Sequence, residues 1–122
     1  MAEHILTGEK GEQQALRYLL GLGYQLEARN WRYKHLEVDL IMRDGEVLVF
    51  VEVKTRASGT YGLPYEAVDW QKQRKLARAA TIFIGQQKHQ GEIRFDVVSI
   101  LMNDQKEFNL RHIKDAFWPR YA

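Results

Sequence analysis

The chain has 122 residues, long enough for one domain (1–122) with a real core and too short for two ordinary ones. Apolar residues make up 45%, which argues against a disordered chain, and the absence of cysteine excludes disulfides, thiolate zinc sites and cysteine nucleophiles while suiting a reducing compartment. The net charge of +2 says little alone, but Lys54 to Arg78 holds six basic residues against two acids, a bias that suits either a polyanionic partner or a solvated helix face.

In chain order, Met1-Ala2-Glu3-His4 lacks the basic-then-apolar pattern of a secretory signal, and no apolar run approaches the ~18 residues of a membrane span. A cytoplasmic protein with no membrane partner is expected. Thr7 is placed to cap a helix from about Gly8 to Gly21, with Ala15, Leu16, Leu19 and Leu20 forming its apolar stripe. Tyr24 to Tyr33 reads as extended. Leu36 to Met42 and the β-branched run Val47 to Thr55 read as strands joined at Asp44-Gly45, a strong hairpin signal. A loop with Gly59 and Gly62 follows. Tyr65 to about Gln86 has helical periodicity through Leu76, Ala79, Ala80 and Phe83, and Ile93 to Met102 and Phe108 to Ile113 read as the last strands. The order α-β-β-β-α-β-β predicts an α/β fold with a mixed sheet flanked by helices.

The hairpin strands hold the informative residues. Asp39 lies inside one apolar run, and Glu52 and Lys54 lie two apart inside the next. Burying unpaired charge costs several kcal/mol, so such a placement calls for an explanation. With Asp44-Gly45 as a two-residue loop, Arg43 pairs with Glu46, Asp39 with Phe50 and Glu37 with Glu52. Glu37, Asp39, Glu52 and Lys54 then share one face, with Asp39 and Glu52 as diagonal neighbours. A three-residue loop would reverse the parity and break the group. Two carboxylates at that separation suit Mg²⁺ or Mn²⁺, which favour hard oxygen ligands and keep waters and substrate phosphate in the shell. A bound metal would activate water for phosphodiester cleavage, with Lys54 orienting that water or stabilising charge. The structural alternative is an ion cluster at a sheet end.

Helix spacing puts Glu12 on the apolar stripe of the first helix and Lys72 on that of the second, both odd choices for packing unless they snorkel to solvent. Gln71, Arg74, Lys75 and Arg78 form a stripe on the second helix suited to phosphates. Arg56, Tyr61 and Tyr65 sit in the preceding loop, where they could touch a nucleic-acid backbone or unstacked bases, or simply anchor the loop. His4, His35, His89 and His112 show no ligand spacing and read as ordinary surface or polar contacts. Trp31, Trp70 and Trp118 read as core or edge packing. No phosphate-binding glycine loop, Ser-His-Asp set or zinc pattern is present.

Gly8-x-x-Gly11-Glu12-x-x-Ala15, Asn30-Trp31-Arg32, Glu37-Val38-Asp39-Leu40-Ile41, Phe50-Val51-Glu52-Val53-Lys54-Thr55-Arg56, Tyr61-Gly62 and Arg94-Phe95-Asp96-Val97-Val98 resemble the YraN-like family of small bacterial proteins, over nearly the whole chain. That family looks like a branch of the PD-(D/E)xK superfamily, with the restriction-endonuclease-like fold and nearest to archaeal Holliday junction resolvases. The resemblance implies a metal-dependent nuclease core in which Asp39 matches the first motif acid, Glu52 and Lys54 the (D/E)xK part, Glu12 the first-helix acid and Lys72 the second-helix lysine. Leu36 stands where a glycine usually precedes the acidic element, Val38 replaces an isoleucine, and the proline before the motif acid is missing. The expectation is an endonuclease using Mg²⁺ or Mn²⁺ on DNA, branched or structured DNA included, with a homodimer needed for four-way junctions. The alternatives are a non-catalytic nucleic-acid-binding module, or a protein-interaction domain whose acid cluster is structural.

Overall fold

The structure is a computed structural model describing residues 2–57, 68–103, 105 and 107–118, with side chains in the first stretch described from 8 to 56. Helix α1 runs Ala2–Gly21. It begins ahead of the expected cap at Thr7, because Ala2 to Leu6 favour or tolerate helix and Thr7 and Gly8 cost too little to stop it. Strands β1 (Gln25–Tyr33), β2 (Leu36–Asp44) and β3 (Val47–Ala57) follow. Helix α2 runs Trp70–Gln87 and strands β4 (Ile93–Met102) and β5 (Phe108–Ile113) complete the order. Asp69 caps α2 by accepting the Lys72 backbone N–H at 2.8 Å, which sets the helix start at Trp70. The expected earlier start is corrected at Val68 and Asp69, which precede the helix, while residues 65–67 lie outside the described residues.

The five strands lie side by side in chain order. Neighbours are antiparallel except β3 and β4, which run parallel because α2 carries the chain back between them. The central strands β2, β3 and β4 are buried on both faces, while the edge strands β1 and β5 stay exposed or half-buried. One face carries Phe50, Phe95, Val38 and Ile41 against Leu76, Ala79, Ala80 and Phe83 of α2. The other carries Val49, Val51, Val98 and Leu40 against Ala15 and Leu19 of α1. Each fully buried Val, Leu, Ile or Phe among them contributes roughly 1.5–3 kcal/mol. Among the described residues no helix is long and apolar enough to cross a membrane.

The hairpin register differs from the expected one. Arg43 pairs with Leu48 and Asp44 with Val47, so the loop residues are Gly45 and Glu46. Gly45 takes φ +62 and Glu46 stays outside the positive region, as a type II′ turn requires with glycine first. The shift is one whole pair, so side-chain faces are unchanged. Its effect is to bring Asp39 level with Glu52 instead of diagonal to it.

Candidate active site

The ladder between β2 and β3 stops at Leu40 and Val51. At the next position the Asp39 carboxylate replaces a backbone acceptor, its Oδ2 taking the Val53 N–H at 2.8 Å. Beyond this point Leu36, Glu37 and Val38 pair with β1, while Glu52 to Ala57 pair with β4. The two strands therefore fork, and Asp39 stands in the crotch.

The fork coincides with a change of phase in β2. Leu36 and Val38 pack on the α2 face, whereas Leu40 and Met42 pack on the α1 face. Across from it on β1, Asn30 adopts a left-handed φ of +51. Strict alternation would have put Glu37 with Glu52 and Lys54. Because Val38 faces α2, Glu37 instead turns to the other face, where it pairs with Arg32 at 3.2 Å and remains about half exposed. The expected four-residue face is thus corrected: Glu37 is separated from it by the phase change.

Glu52 lies on the α2 face, below Phe50 in alternation, and is only 4% exposed. Its carboxyl shares a hydrogen bond with Asp39 and is pushed up to about 8, first by burial and then by the Asp39 charge, with Lys72 and Lys54 opposing. The Lys72 Nζ lies 3.4 Å from Glu52 Oε2, near enough for an ion pair, yet Oε2 accepts no hydrogen bond. Glu12 reaches the same fork from α1. Its carboxyl is raised by burial and then by Asp39, with Arg29 opposing, and its buried Oε1 has no partner. The close seating of α1 is set by Gly11, where a Cβ would fall 1.9 Å from Thr55 Oγ1 of β3.

Asp39 is therefore brought within electrostatic reach of both Glu12 and Glu52, Glu52 within reach of Lys54 and Lys72, and Glu37, from the other face, still raises Glu12. Among the described residues no three His, Cys, Asp or Glu side chains form a ready-made metal cage. A divalent cation would rest instead on Asp39 and Glu52, two neighbouring carboxylates, and on buried oxygens of Glu12 and Glu52 that accept no hydrogen bond. Mg²⁺ typically takes one or two carboxylates and fills its shell with water and phosphate, so this donor set fits.

The basic stripe forms as expected. Gln71, Arg74, Lys75 and Arg78 line a groove of about 190 Å³ on the outer side of α2. Arg56 is half-buried near the end of β3, two residues beyond Lys54. Tyr61 and Tyr65 lie outside the described residues. Trp31 packs against Phe83 as expected, and Trp118, though 60% exposed, meets the buried Phe95 edge-on at 6.3 Å, whereas the packing expectation fails for Trp70, which is 56% exposed.

A second charged group was missed in the sequence. Asp96 is fully buried on the α1 face and pairs with Arg94 at 2.8 and 3.0 Å and with His112 Nε2 at 2.7 Å. It also accepts the Asp115 N–H, while Arg94 reaches Asp44 and Tyr24. The signal was available: Arg94 and Asp96 interrupt an apolar strand as Asp39 and Glu52 do. His112, read as an ordinary contact, is a buried member of this network.

A family model described as "Uncharacterised protein family UPF0102" matches residues 11–100, a span that includes Glu12, Asp39, Glu52, Lys54 and Lys72. A UPF0102 protein of Rhodococcus opacus is 42% identical over 118 residues, covering 96% of this chain and 100% of its own length. One from Geotalea daltonii is 47% identical over 111 residues, covering 90% and 87%. Another, from Bacteroides thetaiotaomicron, is 39% identical over 119 residues and covers 98% of each chain.

Proposed function

The chain belongs to the UPF0102 family, and we propose that it is a Mg²⁺- or Mn²⁺-dependent endonuclease of the PD-(D/E)xK type, with a restriction-endonuclease-like fold, acting on DNA in the cytoplasm. The observation that carries this reading is the Asp39–Glu52 pair at the fork, two neighbouring carboxylates, one of them buried, beside Lys72 and Lys54. A purely structural cluster would satisfy its buried carboxylates, whereas Glu12 Oε1 and Glu52 Oε2 accept no hydrogen bond, Glu52 having only the 3.4 Å approach of Lys72. The homodimer belongs with the reading only for substrates cut on two strands.

Asp39 and Glu52, with Glu12 nearby, would hold the cation. When bound, it supplies a water of lowered pKa and neutralises charge developing on the phosphate. Asp39 is held in place by the Val53 N–H, so its carboxylate has a fixed direction. Glu52 gives up its proton before it can act as a ligand, and Lys72 and Lys54 favour that ionised form. Lys54, on the same strand face as Glu52, orients the attacking water and stabilises the phosphorane-like charge. Lys72, once relieved of Glu52, is free to meet a phosphate oxygen. The stripe of Arg74, Lys75 and Arg78 positions the strand without reading its sequence.

Cleavage of linear, flapped and four-way DNA with Mg²⁺ or Mn²⁺ tests the reading. Wild type should cut at least one of these, and Asp39→Ala, Glu52→Ala and Lys54→Met should each lose about a hundredfold or more. Equal background in wild type and all variants overturns it. Salt-sensitive DNA binding without cleavage would then favour a non-catalytic binding module, and absence of binding a protein-interaction domain.

A further inference from the structure

Trp70 opens α2 and keeps more than half its surface in solvent. An indole buries roughly 150–250 Å² where packing allows, so an exposed one beside a helix-covered sheet is a costly placement. The ring lies against the guanidinium of Arg74, one turn along the helix and 4.8 Å from the ring centre. Arg74 is also part of the groove lined by Gln71, Lys75 and Arg78. One residue thus joins an aromatic surface to a cationic groove.

The groove, about 190 Å³, is smaller than the ~300 Å³ at which pockets begin to enclose small organic ligands. A nucleobase is poorly accommodated inside it, whereas backbone phosphates are matched by its three cations. From Gln71 to Arg78 the helix rises about 10 Å, room for consecutive phosphates of one strand. The bases on those phosphates then have a flat aromatic surface within reach at Trp70, its ring polarised by Arg74. Inside a duplex each base is already covered by its neighbours, and only the end pairs show a face. Away from such ends, only an unpaired nucleotide has a face to offer.

We propose, building on the nuclease reading above, that Trp70 and the Gln71–Arg78 groove form a binding site for an unpaired DNA strand, so that the substrate class is DNA with a single-stranded flap, fork or branch. The strand lies along the outer side of α2 with a base stacked on Trp70. It reaches the fork at the helix N-terminus, where Lys72 turns inward to Glu52. Trp70 selects for the unpaired strand, and Lys75 and Arg78 supply affinity that any strand would feel.

Fluorescence anisotropy in EDTA, with labelled oligo(dT) of about 15 nucleotides and a blunt duplex of matching length, tests this apart from cleavage. Wild type should prefer the single strand. Trp70→Ala should weaken that binding by about 5- to 100-fold and change duplex binding less than about twofold, with Trp70→Phe recovering most of the loss. Lys75→Gln should weaken both ligands and reduce the salt slope by about one. Thermal unfolding should show all three variants folded. The proposal is overturned if wild type shows no preference, if no DNA binds, or if Trp70→Ala affects both ligands alike. Metal-dependent cleavage with no Trp70 effect would sink the platform alone. Trp70-dependent binding with no cleavage would sink only the nuclease reading.

Discussion

A carboxyl buried as deeply as that of Glu52 holds its proton at neutral pH, since burial first and Asp39 second push it up to about 8, while the unfolded chain releases it near 4.5. Between these values the folded state binds more protons, so stability is greatest below the unfolded value and falls as pH rises towards the folded one. One proton gives a slope of at most about 1.4 kcal/mol per pH unit. Glu52→Gln, which mimics the neutral acid, should flatten this limb and exceed wild type in urea unfolding midpoint at pH 8.5 without metal. An unchanged limb would show that Glu52 is ionised in the folded protein. Because a cation must displace the same proton, Mn²⁺ should raise the wild-type melting temperature more at pH 8.5 than at pH 6. Glu52→Gln and Asp39→Asn should each remove that shift. The residues at stake were legible in the sequence, because a charge in the middle of an apolar strand is conspicuous. The protonation of Glu52 was not, since it depends on a burial that only the packed α2 creates.

At the scale of elements, the approach of α1 to β3 decides whether Glu12 reaches the fork. Gly11 leaves no room for a side chain, as an added Cβ would lie 1.9 Å from Thr55 Oγ1 and 3.0 Å from Thr55 Cβ. Gly11→Ala should therefore destabilise by about 1–3 kcal/mol through overpacking, despite the better helix propensity of alanine. Combining it with Thr55→Ala removes the hydroxyl contact and should recover part of that loss, giving a favourable coupling in a double-mutant cycle on urea unfolding. Additive effects would mean that α1 shifts freely and that its seating does not fix Glu12. Periodicity foretold both helices and all five strands, yet it missed the α1 start and the hairpin register. Both errors have physical causes. Ala2 to Leu6 favour or tolerate helix, so Thr7 and Gly8 do not stop it, and Asp44-Gly45 as type I′ and Gly45-Glu46 as type II′ are both favoured hairpin turns. The register error was harmless to the site because a shift of a whole pair keeps parity. The phase change at Asp39 was not harmless, and it removed Glu37, because a carboxylate entering the ladder leaves no period in the sequence.

Across the whole molecule, Asp96 joins pieces that are distant in the chain: Arg94 and His112 on neighbouring strands, Asp115 beyond β5, and through Arg94 the ends of β1 and β2 at Tyr24 and Asp44. Burial pushes its carboxyl up, but the hydrogen bonds from His112, Arg94 and the Asp115 backbone outweigh it and leave it below the usual value of 3.8. The sign is opposite to that of Glu52. Asp96 adds stability that is present above about pH 4, where the unfolded chain is already ionised, and is lost as pH falls through the folded value. The two carboxyls act in windows that scarcely overlap, Asp96 below the unfolded carboxylate range and Glu52 above it, so stability should peak in mildly acidic solution when no metal is bound. Asp96→Asn keeps the shape but takes from Arg94, whose side chain is only 16% exposed, its buried charge partner and leaves it the more exposed Asp44. Breaking a buried pair from one side costs about 3–5 kcal/mol, a large share of a small domain's total. Urea unfolding of Asp96→Asn at pH 7 should show that loss, and below pH 4 the gap to wild type should narrow as Asp96 itself takes up a proton. A constant gap across that range would mean that the network holds these strands by shape and packing, with the charge of Asp96 contributing nothing.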